Sequence, residues 1–144
     1  EDHLSWAVGR VRWPDQANFD KGPAQFFRGV PAPVRGLAER LVRYKVKKTL
    51  WGQGLGRHSE EELVALASKG VTSIADILGD KRYLMGDKPC AADATLFAFA
   101  GSLLCPTFDT PIRTAAEGHA NLVAYMERMR AEFYPEFTPE TAAA

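Results

Sequence analysis

Apolar residues recur at helical spacing along most of the chain, and the alternation expected of strands is nearly missing. Leu4, Ala7, Val8 and Val11 stand at i, i+3, i+4 and i+7, which predicts a first helix over residues 2–13, ended by Pro14. A stretch punctuated by Pro and Gly follows, with room for a short helix at 22–28. Pro31 and Pro33 then introduce a long helix to about Trp51, because proline in the first turn gives up an N–H that would have no helical partner. Its expected apolar stripe is Val34, Leu37, Ala38, Leu41 and Tyr44, with Arg40, Arg43 and Lys47 opposite, and Gly52, Gly54 and Gly56 stop it. Ser59 and Glu62 have capping-box spacing, hydroxyl and carboxylate each accepting a free backbone N–H, so a further helix should run from there to Leu78. Its expected buried face is Leu63, Leu66, Ala67, Gly70, Ile74, Ile77 and Leu78. Gly70 marks a helix crossing, since it costs about 1 kcal/mol in propensity but allows close approach.

From Ala94 to Leu104 the pattern is apolar on every side, which predicts a central helix surrounded by the others. A short helix at 110–117 and a last one at 120–133 complete the set, the latter with Leu122, Met126, Met129 and Phe133 in register and Pro135 closing it. The class is all-α, a helical bundle around a buried central helix, with no room for a sheet larger than the connector at 82–85.

Charge refines this picture. The 144 residues carry 18 Lys plus Arg and 18 Asp plus Glu, which excludes a polyanion binder built on overall charge and a disordered acidic tail. The balance is uneven: residues 31–58 hold seven basic and one acidic side chain, and 59–144 hold seven and thirteen. With no repeat and no Gly/Ser linker, residues 1–144 read as one domain. The longest apolar stretch, 94–105, is shorter than the roughly 20 residues of a bilayer helix. No signal segment opens the chain, and its start at Glu1 without methionine reads as a fragment or processed product. Cys90 and Cys105, about 22 Å apart on one helix, are too distant to bridge; reduced thiols fit a cytoplasmic address. CxxC, HExxH, GxSxG and P-loop spacings are absent and the histidines at 3, 58 and 119 are scattered, so no catalytic residue and no metal ligand is assigned.

Three residues stand out of place. Trp6, Arg10 and Trp13 lie about 180° from the Leu4–Val11 stripe. Both faces of the helix are core with Arg10 over an aromatic ring, or the three form a ligand pocket with a cation for a carboxylate, or they face another domain. Asp93 reads as a cap: a carboxylate in a buried helix needs N–H donors, and Cys90 stands where a capping hydroxyl normally would, leaving the carboxylate half as the strong one. The basic stripe reads as a solvated face rather than a nucleic-acid site, and His58 as a loop residue rather than a ligand.

The stretch from Leu84 through Gly86, Cys90 and Asp93 into the apolar helix resembles the capping-box segment of glutathione transferase C-terminal domains, with Cys90 departing from the family's Ser or Thr. Gln53–Glu62, the opening Glu1–Trp13 and Asn121–Tyr125 resemble the failed-axon-connections and metaxin-like branch, and the likeness runs to about Pro135. The resemblance implies a thioredoxin-like domain upstream of Glu1 that binds glutathione as co-substrate and activates its thiol. The present domain would wall the site for a hydrophobic electrophile through the helix of Trp6, Arg10 and Trp13, and would be inactive alone. It leaves room for a homodimer. The alternative it carries is a noncatalytic protein-binding or membrane-associated module, with the basic helix as contact; membrane contact is the less favoured part.

Overall fold

The architecture, taken from a computed structural model, is described for residues 2–137. Glu1 and residues 138–144 lie outside the described residues. Among those described there are seven α-helices and no strand: α1 (Asp2–Arg12), α2 (Gln16–Lys21), α3 (Ala32–Gln53), α4 (Glu60–Leu78), α5 (Ala91–Leu103), α6 (Pro111–Glu117) and α7 (Ala120–Phe133). Short 3-10 turns occupy Pro23–Phe27, Leu55–Arg57 and Pro135–Phe137. The all-α class and most helix positions agree with the pattern of the sequence. The six-residue α2 was not expected; Asp15 starts it by accepting the N–H of Asn18 at 2.7 Å.

One apolar cluster unites α1, α4, α5, α6 and α7. It contains Leu4 and Ala7, then Leu63, Ala67, Val71 and Leu78, then Leu96, Ala100 and Leu103, with Ile112, Ala116, Leu122, Tyr125, Met126 and Met129 closing it. Leu4 crosses α4 at Gly70, where an added Cβ would stand 3.5 Å from the leucine side chain, so the expected crossing is present. The buried face of α4 departs from expectation: Val71 and Ala75 point inward, while Leu66 and Ile77 are exposed. α4 therefore presents a narrower stripe, spaced by four residues from Leu63 through Ala67 and Val71 to Ala75.

Two expectations are corrected. α5 is not surrounded: Leu96, Ala100 and Leu103 are buried, but Ala94 and Ala98 face solvent and Phe97 and Phe99 are half-buried. Two of the three alanines in 94–104, Ala94 and Ala98, fill the outward positions, and they cost little to expose. The stripe of α3 is also open to solvent, with Val34 49%, Leu37 61%, Leu41 54% and Tyr44 65% exposed. α3 buries Leu50 alone, and it leans on the rest of the molecule through its C-terminal half and through Arg43. Gly54, at φ 119°, ends α3, and the chain doubles back so closely that a Cβ on Gly56 would stand 2.6 Å from the Trp51 nitrogen.

Candidate functional site

The C-terminal half of α1 faces α3 across a polar seam. Arg43 on α3 donates to the carbonyls of Trp13 (3.2 Å) and Pro14 (2.8 Å), satisfying groups where α1 ends, and lies 4.6 Å from the Phe19 ring centroid. The residue expected in a solvated stripe is thus the tie that sets α3 against α1. Arg12 donates to the Ser102 carbonyl and lies 4.1 Å from the Phe108 ring; burial draws its pKa below the ordinary arginine value, with Cys105 opposing. Arg57 donates to the Trp51 carbonyl at 3.0 Å.

Arg10, at the centre of this seam, is treated differently. It is half-buried, and among the described residues it has no hydrogen bond and no ion pair; the three ion pairs present involve His58–Glu62, Arg82–Glu132 and Arg113–Glu117. Two cavities meet at it. The larger, about 530 Å³, opens between α1, α2 and the starts of α4 and α6, with Lys21 beside Asp15, Glu60 and Asp109 on its wall. The smaller, about 280 Å³, lies between α1 and the end of α3 and is bounded by Lys47, Leu50, Trp51 and Gly56. Pro14 and Arg10 are common to both. The larger has the size of a small-molecule cleft.

Of Trp6, Arg10 and Trp13, Arg10 alone lines these cavities, joined in the smaller one by Lys47 of the basic stripe. Trp6 is half-buried against the apolar cluster. Trp13 belongs to an aromatic group, its ring 6.0 Å from Phe19 and stacked 6.4 Å from Phe26. The three are therefore not gathered into one pocket. Sequence reasoning read Lys47 as part of a solvated basic stripe and passed over Trp51 as a site residue, although their i, i+4 spacing puts them on one helix face and could have joined them.

The two expected caps are present. Glu62 N–H donates to Ser59 Oγ at 3.2 Å and Ser59 N–H to Glu62 Oε2 at 2.9 Å. The Glu62 pKa is lowered by that backbone bond and by His58. Asp93 does more than cap: Oδ2 accepts the Cys90 N–H (2.9 Å) and thiol (3.2 Å), while Oδ1 accepts the Leu84 N–H (2.7 Å) and the Tyr125 hydroxyl (3.0 Å). It is 1% exposed. Burial alone would raise its pKa, but these donors hold it below the ordinary aspartate value. Burial and the same carboxylate push the Tyr125 phenol up. The loop before Cys90 is shaped by Gly86 at φ 127°, which pairs with Tyr83 through backbone bonds of 2.9 and 3.1 Å and so aims the Leu84 N–H at Asp93. Cys90 and Cys105 are both free thiols. No helix among the described residues is long and apolar enough to cross a membrane.

Comparison with known proteins finds relatives for most of the chain. The family model described as the glutathione S-transferase C-terminal domain matches residues 67–129, the segment that holds most of α4, all of α5 and α6 and most of α7. The isoprene-epoxide glutathione S-transferase of Rhodococcus sp. (strain AD45) is 30% identical over 139 residues, covering 92% of this chain and 57% of the relative. Failed axon connections of Drosophila melanogaster is 28% identical over 151 residues, covering 95% of this chain and 36% of the relative. The chain thus spans about half or less of the length of these relatives. No solved structure matches it.

Proposed function

We propose, from a chain whose residues 67–129 belong to the glutathione S-transferase C-terminal domain family, that this domain walls the electrophile site of a glutathione transferase. The cleft that meets at Arg10 carries the reading: it is lined by α1, the helix that the family resemblance assigns to the substrate site, through Arg10 though not through Trp6 or Trp13, and it is large enough for a small organic molecule. Glutathione is the co-substrate, bound chiefly by a thioredoxin-like domain upstream of Glu1. Catalysis consists of holding a carbon electrophile against the thiolate, so that a bimolecular attack becomes effectively unimolecular. The sulfur–carbon bond forms as the leaving bond breaks, and in an epoxide the ring oxygen takes up a proton. The isoprene epoxide named for the Rhodococcus relative supports an epoxide as the first electrophile to try.

The test is conjugation of glutathione to a terminal epoxide by the full-length protein, followed by mass spectrometry of the product. The reading expects adduct from the full-length protein and none above background from residues 1–144. A folded full-length protein that yields no adduct with an epoxide or an activated aryl halide refutes it.

The open apolar stripe of α3 favours a second reading. Val34, Leu37, Leu41 and Tyr44 are exposed between Arg40 and Lys47 on one side and Lys45 on the other, with Glu39 pointing away. Such a face suits the acidic, amphipathic surface of a protein partner in a noncatalytic module. Under this reading the full-length protein folds without conjugating glutathione, and it binds an acidic amphipathic helical peptide that a Leu37→Asp, Leu41→Asp variant no longer holds.

A further inference from the structure

Four arginines in this part of the molecule are satisfied by backbone carbonyls. Arg12, Arg35, Arg43 and Arg57 each donate to backbone carbonyls, of Ser102, Val30, Trp13 and Trp51 respectively. Arg10 is half-buried and has no such partner among the described residues. Lys47 is likewise unpaired among the described residues and bounds the same 280 Å³ cavity from the opposite helix. A cation partly withdrawn from water without a bonded counter-charge is costly, which applies to the half-buried Arg10; Lys47 is exposed and adds an accessible like charge across the same small cavity. The cavity is otherwise apolar: Leu50, 2% exposed, forms its floor and the Trp51 side chain its wall.

We propose that Arg10 and Lys47 form a clamp for the carboxylate of an organic acid whose apolar or aromatic body lies along Leu50 and Trp51 in the smaller cavity. The guanidinium supplies the planar fork that matches a carboxylate, and the ammonium adds a point charge from the other side. The carboxylates on the larger cavity, Asp15, Glu60 and Asp109, lie beyond Arg10 and restrict a second anionic group there, so the clamp selects a monoanion with an apolar tail. This deepens the substrate-site reading and rests on it where the acid is taken to be the electrophile; the binding step needs no glutathione and is tested without it. The carboxylate could belong to that acid or to glutathione itself, and the two are separated by using each alone.

The experiment is isothermal titration of the 144-residue chain with 4-phenylbutyrate, with its methyl ester and with glutathione. The clamp predicts saturable one-to-one binding of the acid, with the ester at least about tenfold weaker. Arg10→Gln and Lys47→Gln should each raise the acid's Kd about tenfold and leave the ester unchanged. Arg10→Lys should recover only part of the loss, because the fork is gone. Equal binding of acid and ester, no binding of the acid by a folded chain, or variants within twofold of wild type would overturn the clamp. Glutathione binding that depends on Arg10 more than phenylbutyrate binding does would overturn the assignment to the electrophile. Failure of the full-length protein to conjugate glutathione would leave the clamp's own readout intact, so the two failures are distinguishable.

Discussion

Asp93 concentrates more of the fold than any other side chain. Its two oxygens gather donors from the loop at Leu84, the start of α5 at Cys90 and the middle of α7 at Tyr125, so one carboxylate fixes the position of two helices and the loop before them. Replacing it with alanine removes the acceptor of four donors, and chemical denaturation should show a loss of about 3 kcal/mol. Tyr125→Phe removes one donor and should cost about 1 kcal/mol by the same measurement. The pH dependence follows from the lowered pKa. The folded state binds the proton less tightly than the unfolded chain, so this contribution is complete above the unfolded carboxylate value of about 3.9 and is lost as pH falls through the lower folded value. The denaturation midpoint of wild type should therefore drop, as pH falls below about 3.9, by more than that of Asp93→Asn. Equal drops would remove Asp93 from the acid sensitivity. The capping role of Asp93 was legible in the sequence because its spacing from Cys90 states it. Its bonds to Leu84 and Tyr125 were not, because they depend on the Gly86 turn and on the packing of α7, 32 residues away.

Among the helices, α3 separates what periodicity can and cannot report. The stripe of Val34, Leu37, Leu41 and Tyr44 marks a helix correctly, but periodicity says that a face exists and not what covers it. Exposed leucines on an existing helix contribute little to stability, whereas Leu50, inserted against the 3-10 turn at Leu55–Arg57, contributes a buried side chain. Leu41→Asp should change stability by less than about 0.5 kcal/mol, and Leu50→Ala should cost about 3 kcal/mol, both read from thermal and urea unfolding. The reverse order would mean that α3 is buried along its stripe. α4 makes a related point: Leu66 and Ile77 were expected inside, yet the smaller Val71 and Ala75 are there, because α1, α6 and α7 press close to this helix and leave room only for small side chains. The site shows the same limit. Arg10 was conspicuous as a charge on an aromatic face, but Lys47 and Trp51 became visible as its neighbours only once Arg43 and Gly56 had fixed the end of α3 against α1.

At the scale of the molecule, the basic span at 31–58 stands on one side of the Arg10 seam and the acidic starts of α4 and α6 on the other, so the cleft lies where the sign of charge changes. That placement suits a ligand with an anionic head and a neutral body, and it accords with a domain that holds the second substrate while another domain holds the thiol. The most direct measurement is retention of the full-length protein on immobilised glutathione, with elution by free glutathione. The account predicts that wild type and Arg10→Gln are both retained and both eluted, since the thiol-bearing ligand is held chiefly elsewhere. A correctly folded full-length protein that passes through the matrix unretained would contradict it.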